Sequence, residues 1–139
     1  KQRINLSALS TGPAIRMLDD AVAFAKSRKQ FDKSIGEFQL VQAMLAECKV
    51  EIEAARALIL ETARKRDHGE DVTMDVSLCK YFSTEMCGRV ADKAVQIFGG
   101  AGYVKGTGIE RFYRDVRAFR VYEGTSQIHL LNIAKHLLN

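Results

Sequence analysis

The chain of 139 residues has little proline, little cysteine and no long apolar run. It contains one proline, with 47% apolar and 27% charged residues, a balance that is typical of folded domains and excludes collagen-like and disordered chains. No apolar run approaches the roughly 20 residues that span a bilayer, and the start lacks a signal-peptide pattern. We therefore expect a single intracellular domain with one core.

Cysteine and charge exclude further classes of protein. Cys48, Cys79 and Cys87 are odd in number and have no C-x-x-C spacing, so they are interpreted as buried thiols in a reducing compartment. The three histidines also lack the spacing of metal ligands, and we predict no metal site. The net charge is +4, but acids and bases are interspersed, so no nucleic-acid partner is expected.

Four segments carry apolar residues at every third or fourth position, which is the spacing of amphipathic helices. No strand pattern competes, so we predict an all-α fold, an antiparallel four-helix bundle. The predicted buried faces are Leu6, Leu9, Ile15, Leu18, Val22 and Ala25; Phe38, Val41, Leu45, Cys48, Ile52, Ala55, Ile59 and Thr62; Leu78, Phe82, Met86, Val90, Ala94 and Ile97; and Ile128, Leu131, Ala134 and Leu138.

Proline, glycine and capping residues indicate where the helices should begin and end. Pro13 predicts a kink or a nearby helix start, and His68-Gly69 marks the end of the second helix. Thr73 or Asp75 is expected to cap the third helix, and the last helix is expected to begin near Thr125. Residues 27–37 and 99–108 are predicted loops, 109–116 a short helix and 119–122 an extended segment.

The first loop carries Arg28, Gln30 and Phe31 at the mouth of two helices. A guanidinium can bind a phosphate through paired donors, and a phenyl face can stack on an adenine ring. The alternative is a cation at a helix C-terminus with an aromatic residue in the core.

The second loop follows Gln96 and contains five glycines in ten residues. Glycines such as Gly100 allow a backbone to approach a ligand closely. The alternative is a helix C-cap followed by a flexible turn. No strand precedes these glycines, so they are not a Rossmann fingerprint.

A carboxylate stands directly before the last helix, in the order Tyr122-Glu123-Gly124-Thr125. Apolar neighbours could desolvate Glu123 and suit it to proton abstraction. Alternatively, its charge only complements the helix N-terminus. The regular arginines at 111, 114, 117 and 120 favour ion pairs at a domain or subunit contact over phosphate binding.

In this order and spacing, these segments resemble the acyl-CoA dehydrogenase family over nearly the whole chain. The matching residues are Arg28-Lys-Gln-Phe31, Gln39, Gln96-Ile-Phe-Gly-Gly100-Ala-Gly-Tyr103, Glu110-Arg, Arg114-Asp115 and Tyr122-Glu-Gly-Thr-Ser-Gln127. The resemblance implies that residues 1–139 are the C-terminal helical domain of a larger subunit, without its N-terminal helical and middle β domains. It also implies FAD between the middle domain and this bundle, in a homo-oligomer, either a dimer or a tetramer.

The resemblance assigns roles to individual residues. Glu123 corresponds to the catalytic base, and Arg3, Tyr122 and Gly124 to residues near the substrate, whereas Gln2 stands where some relatives carry the base. The residues that correspond to FAD contacts are Arg28, Gln30, Phe31, Gln39, Gln96, Gly100, Thr125 and Gln127, with Gln96 and Gly100 facing the FAD of a partner subunit.

The activity implied is FAD-dependent dehydrogenation of an acyl-CoA thioester to a trans-2-enoyl-CoA, with electrons passed to an electron-transferring flavoprotein. The expected location is the bacterial cytoplasm or the mitochondrial matrix, without membrane insertion, and the domain alone is expected to be inactive. Two alternatives remain, an acyl-CoA oxidase domain and an oligomerisation bundle without activity. The sequence departs from the family pattern at Pro13, Asp32, Ser34 and Leu130.

Overall fold

The computed structural model describes residues 2–139 and consists almost entirely of helices. The elements are α1 (Gln2–Ser27), β1 (Lys29–Gln30), β2 (Lys33–Ser34), a 3-10 helix (Ile35–Glu37), α2 (Gln39–Asp67), α3 (Thr73–Phe98), α4 (Gly100–Tyr103), α5 (Ile109–Arg117), a second 3-10 helix (Ala118–Arg120) and α6 (Ser126–Leu138).

The long helices α1, α2, α3 and α6 form the predicted antiparallel four-helix bundle, which confirms the fold class. α3 is the central helix, because α1, α2, α5 and α6 all pack against it. Among residues 2–139, no helix combines the length and apolarity required to cross a membrane.

The predicted faces of α2 and α3 are largely confirmed. Cys48, Ile52 and Ala55 of α2 are buried against Met86 and Val90 of α3 in the main core cluster. Both segments keep the helical spacing of apolar residues over their whole length, so the pattern identified the packed side correctly.

The face predicted for α1 is partly wrong, since Leu9 is 60% exposed and Ile15 is also exposed. Small residues such as Ser7, Ser10 and Ala14 are buried instead, because they allow α1 to lie close to α3. The helix also runs through Pro13 rather than beginning there. The carbonyl of Leu9, which loses its helical donor at Pro13, belongs to an exposed residue that water can reach.

The face predicted for α6 is wrong. Ile128, Leu131 and Leu138 are exposed, with Leu131 at 65%, and Ala134 is exposed as well. The buried residues are Ser126 and His129. α6 packs chiefly on α3, so only a narrow stripe is covered, and polar side chains occupy it.

Three connecting segments differ from prediction. Residues 27–37 contain an antiparallel hairpin, in which Lys29 pairs with Ser34 and Gln30 with Lys33. Gly100–Tyr103 forms a short helix within the segment predicted to be irregular, and Ala118–Arg120 is a 3-10 helix rather than extended. Glycine content alone therefore did not exclude a single helical turn.

The predicted cap of α3 is also wrong. Asp71 accepts hydrogen bonds from the backbone N–H and the hydroxyl of Thr73, at 3.0 and 2.6 Å, while Asp75 forms an ion pair with Lys65 at 2.7 Å. The predicted start of the last helix near Thr125 is confirmed, and the Thr125 hydroxyl caps the helix by accepting from Ile128 N.

Candidate functional site

Glu123 lies in a short connection between the second 3-10 helix and α6, in left-handed backbone conformation. Its φ is 55°, and that of Gly124 is 93°. Left-handed backbone is unfavourable for a residue with a Cβ. Other contacts must therefore hold Glu123 in this conformation.

A buried histidine provides one of these contacts. Nε2 of His129, on the first turn of α6, lies 3.1 Å from the carbonyl oxygen of Glu123. Because a carbonyl can only accept, Nε2 must carry the proton. Burial lowers the pKa of His129, and the nearby charges of Lys80 and Arg3 lower it further, so the imidazole is held neutral.

A buried lysine provides the other contact. Nζ of Lys80, on α3, donates to the carbonyl oxygen of Gly124 at 2.6 Å. The side chain is fully buried, and burial lowers its pKa, an effect that Glu85 partly opposes. A charged donor forms a stronger hydrogen bond than a neutral one, so this bond is a firm attachment of the segment to α3.

These two bonds determine where the backbone N–H groups point. The carbonyls of Glu123 and Gly124 both face the protein interior, and all peptide bonds among residues 2–139 are trans. In a planar trans peptide the N–H lies opposite the carbonyl. The N–H groups of Gly124 and Thr125 therefore point away from Lys80 and His129, toward the exposed side.

A carboxylate of α3 fastens both flanks of the same segment. Glu85 accepts from the hydroxyl of Ser126 on one side and from Arg120 on the other, at 3.2 Å in the second case. Gly88 makes room for this arrangement, because a Cβ there would lie 3.0 Å from the guanidinium carbon of Arg120. The connection is thus held at its two ends by the half-buried Glu85 and in the middle by the buried Lys80 and His129.

The side chain of Glu123 is exposed in this chain. The expectation that apolar neighbours within the chain would desolvate it is therefore wrong. Its backbone is fixed, and the carboxylate projects where another surface can reach it. Tyr122 beside it is 42% exposed and packs edge to face on Phe119, with ring centroids 6.0 Å apart.

The remaining predicted substrate residue, Arg3, lies at the start of α1. It lines a cavity of about 350 Å³ together with Lys135 and His136 of α6. Arg3 is close enough to His129 and Lys80 to lower the pKa of each imidazole or ammonium group by its charge. The structure therefore places Arg3 in the same region as Glu123.

The hairpin carries a second group of predicted residues. Phe31 and Asp32 form its two-residue turn with φ values of 53° and 61°, and positive φ at both central positions is the pattern of a type I′ turn. The Phe31 ring is 86% exposed and meets Phe38 edge to face. Phe31 is not the core aromatic of the alternative interpretation.

Gln96 and Gly100 lie near this hairpin. Stacking of Phe24 on Phe98, with centroids 4.1 Å apart, joins the end of α1 to the end of α3, and Ile35 packs in the same cluster. Arg28, Gln30, Gln39, Gln96 and Gly100 are all exposed around it.

The predicted site residues are thus divided between two ends of the bundle. Lys80 and Gln96 of α3 are sixteen positions apart, which corresponds to about 24 Å along the helix axis. Arg3, Tyr122, Glu123, Gly124, Thr125 and Gln127 belong to one end, and the hairpin group belongs to the other.

The arginine series divides as well. Within residues 2–139, Arg120 is the one member of the series that forms an ion pair, and its partner is Glu85. Arg114 and Arg117 line a groove of about 740 Å³ between α3, α4 and α5, with Tyr103 and Lys105 nearby. The ion pair of Arg120 lies within the domain rather than at a contact between domains or subunits, so the pairing expected there stays a prediction.

The three cysteines are free and buried in the described part of the chain, as predicted. Burial raises the pKa of Cys48 to about 11 and that of Cys87 to about 12. These thiols are therefore protonated and unreactive at neutral pH.

Sequence reasoning missed Lys80, Glu85 and His129. A signal was present, because Ser77, Lys80, Thr84, Cys87 and Ala91 repeat at helical spacing on a second face of α3. A lysine among small residues on a face of this kind indicates a buried cation facing another element. The main apolar stripe of the same helix obscured this second face.

Comparison with known proteins agrees with the helical fold described above. The family model described as acyl-CoA dehydrogenase, C-terminal domain, matches residues 1–138. The chain belongs to this family. The acyl-CoA dehydrogenase resemblance inferred from the motifs is therefore confirmed.

Individual relatives within the family are close. The chain is 41% identical over 136 residues to the caffeyl-CoA reductase–Etf complex subunit CarC of Acetobacterium woodii, covering 98% of this chain and 36% of that protein. The structure of butyryl-CoA dehydrogenase from Megasphaera elsdenii matches with a TM-score of 0.95 and 38% identity, over 99% of this chain and 36% of that one.

A third similar structure is PigA with FAD and proline, with a TM-score of 0.94 and 32% identity, over 98% of this chain and 36% of that chain. The chain therefore spans about a third of the length of the relatives it matches.

Proposed function

We propose that this chain supplies the proton-transfer base and part of the FAD surface of a flavin-dependent acyl-CoA dehydrogenase. The observation that carries the proposal is Glu123 itself. It is an exposed residue with left-handed backbone. Its own carbonyl is hydrogen-bonded to His129, and the carbonyl of Gly124 is hydrogen-bonded to Lys80. A base must be held in a fixed position to reach the proton it abstracts.

Glu123 would take the proton from the α carbon of the thioester. FAD, when bound, would accept the hydride that leaves the β carbon, giving a trans-2-enoyl-CoA. An α C–H next to a thioester becomes acidic enough only if the developing charge on the oxygen is stabilised. The outward N–H groups of Gly124 and Thr125 provide a positive potential beside Glu123 that would stabilise this developing negative charge. The guanidinium of Arg3, in the same region, would add a full positive charge.

The chemistry of the exposed groups fits FAD. Arg28 offers paired donors for a diphosphate, Gln30, Gln39 and Gln96 offer amides, and the exposed Phe31 ring offers a stacking face. Thr125 and Gln127 lie at the start of α6 beside Glu123. The relative PigA has been observed with FAD.

The separation of the two groups supports an oligomer of larger subunits. Glu123 and the hairpin lie at opposite ends of the bundle, so the two ends serve different parts of the cofactor surface, or different cofactors. Together with the third of the relatives' length that the chain spans, this favours a C-terminal domain in a homodimer or homotetramer. The other domains would cover Glu123, which this chain leaves exposed.

A second candidate function is the reverse reaction, the reduction of an enoyl-CoA. A caffeyl-CoA reductase subunit is among the similar proteins, and it belongs to an Etf complex. The same carboxylate, when protonated, can return a proton to the α carbon of an enoyl-CoA, by microscopic reversibility. An electron-transferring flavoprotein would then deliver electrons rather than receive them. Assays with saturated and with unsaturated thioesters, each with electron-transferring flavoprotein, separate the two directions.

Glu123→Gln in the complete subunit tests the proposal. Loss of the general base should lower kcat by about two to four orders of magnitude, because glutamine cannot accept the α proton. The measurement is steady-state turnover normalised to bound FAD. Glu70→Gln is the matched control, since Glu70 is also exposed but lies in the loop between α2 and α3, and it should leave kcat unchanged.

A near-normal kcat for Glu123→Gln, with full FAD content, would eliminate Glu123 as the base. Peroxide formation during turnover of the unaltered subunit would indicate an oxidase instead. Failure to bind FAD in an otherwise folded complete subunit would leave an assembly module as the function of this domain.

A further inference from the structure

Lys80 is an unusual residue for the centre of a helical bundle. Its side chain is fully buried on α3, and a buried ammonium group loses the favourable interaction with water that an exposed one keeps. Within residues 2–139 its hydrogen bond goes to the carbonyl of Gly124, rather than to a carboxylate. Packing alone would be served equally well by an apolar side chain of the same length.

His129 acts on the adjacent peptide from a different helix. Its Nε2 bonds to the carbonyl of Glu123, while its buried Nδ1 has no hydrogen-bond partner within the described residues. The imidazole is thus directed at one acceptor, and its other nitrogen remains unsatisfied. Gly124 permits this approach, because a Cβ there would lie 3.0 Å from Nε2.

Two consecutive carbonyls are therefore held by two helices. α3 holds the Gly124 carbonyl and α6 holds the Glu123 carbonyl, so the peptide planes on both sides of Gly124 are fixed in orientation. The two planes determine φ and ψ at Gly124. The first plane also contains the Cα of Glu123, so fixing it restricts the position of the Glu123 side chain relative to the bundle.

We propose that Lys80 and His129 are positioning residues, which hold the backbone at Glu123 so that its carboxylate is aligned for proton transfer. The inference rests on the proposed role of Glu123 as the base. Releasing either carbonyl would let the connection relax from its strained left-handed conformation. Misplacement of a reacting group by about 1 Å can lower a rate by about 100-fold.

Three variants separate positioning from stability. Lys80→Met removes the donor but fills the same space without a buried charge, so the variant is expected to fold. His129→Leu removes the other donor, and His129→Gln keeps an N–H that can reach the Glu123 carbonyl. Val90→Ala is the control, because it opens the core on α3 without touching the connection.

The first measurement needs no turnover. Hydrogen exchange followed by mass spectrometry should show about tenfold faster exchange in residues 121–129 of Lys80→Met and His129→Leu. The backbone amides of Tyr122 and His129 report on this segment, since they donate to Ala118 and Thr125. Residues 45–60 of α2 should exchange at an unchanged rate. Val90→Ala should not produce the selective increase.

The second measurement is turnover by the complete, FAD-loaded subunit. Lys80→Met and His129→Leu should lower kcat by about 10- to 100-fold with KM changed less than about threefold, and should increase the kinetic isotope effect of α-deuterated substrate. His129→Gln should recover kcat to within about threefold of the unaltered protein. Val90→Ala should lower thermal stability without changing kcat or the isotope effect.

The outcomes distinguish the two proposals. If Glu123→Gln is inactive while Lys80→Met and His129→Leu retain normal kcat, isotope effect and exchange, the positioning role is wrong and the base stands. If Glu123→Gln is active, the proposed function itself fails. If Lys80→Met does not fold, the His129→Leu and His129→Gln pair decides, and equal turnover by those two variants overturns the role of His129.

Discussion

Left-handed backbone at non-glycine residues occurs in two places among residues 2–139, and the two are supported differently. Phe31 and Asp32 form the turn of an exposed hairpin, where the paired strands Lys29–Gln30 and Lys33–Ser34 are adjacent in sequence. Glu123 is supported from afar, by Lys80, which is 44 residues from Gly124 in sequence, and by the first turn of α6.

The difference concerns what each conformation depends on. A hairpin turn forms from its own strands and requires little of the rest of the domain. The conformation of Glu123 exists only when α3 and α6 are packed and Lys80 is buried between them. Strain at Glu123 is therefore coupled to folding of the whole bundle, whereas strain at Phe31 is local.

The largest effect is expected from Gly124→Ala. Alanine at φ 93° is strained, and its Cβ would lie 3.0 Å from His129 Nε2, so unfolding free energy should fall by about 2–3 kcal/mol. Gly69→Ala is the matched control, because Gly69 has φ 81° with nothing within 4 Å of a Cβ. It should lose only about 1 kcal/mol. If urea unfolding shows equal losses of unfolding free energy for the two variants, the contact with His129 does not contribute to the effect.

Lowering the pH is expected to have an intermediate effect on the stability of the fold. The folded state lowers the pKa of His129 by burial and by the charges of Lys80 and Arg3, whereas the unfolded histidine titrates near 6.5. As pH falls through about 6.5, the unfolded state binds the proton first, so stability decreases until the lower, folded pKa is reached. His129→Gln should remove this part of the pH dependence.

Urea midpoints measured between pH 7.5 and 5, for the unaltered chain and for His129→Gln, check this expectation. The midpoint of the unaltered chain should fall more steeply over that range. Parallel slopes for the two proteins would show that His129 is equally easy to protonate in both states.

The smallest effect is expected at the hairpin. Asp32→Gly places glycine at the second central position of a type I′ turn, where φ is 61° and glycine is favoured. The unfolding free energy should rise by about 0.5 kcal/mol, seen as an increase of one or two degrees in Tm. A decrease in Tm would mean that the Asp32 side chain stabilises the turn more than its backbone conformation destabilises it.

Periodicity in the sequence predicted the bundle because α2 and α3 carry uninterrupted apolar stripes, from Cys48 to Ile59 and from Met86 to Ile97. It failed on α6, where Ile128 and Leu131 follow helical spacing but lie outside. A hydrophobic stripe predicts that a face will be covered by something. It does not say whether this chain covers it.

The motifs drew attention to Glu123 and to a helix start near Thr125, but not to the residues that hold this segment in place. Lys80 and Glu85 are distant in sequence from the segment they hold, and charged residues within a helix are normally solvated. Only the packing of α3 against α6 reveals that these two point inward. The local signal therefore pointed to Glu123, and tertiary structure was needed to identify the residues that hold its backbone.

Because α3 lies at the centre of the bundle, substitutions on α3 and on α2 are not equally well tolerated. Twelve of its 26 residues are buried, many of them small, such as Ser77, Cys87 and Ala91, whereas α2 buries five of 29. Enlarging a small residue on α3 displaces a neighbouring helix, whereas the exposed side of α2 packs on no other helix among residues 2–139. As far as the packing of this domain decides, α3 therefore admits fewer replacements than α2, and those it admits keep the side chain small.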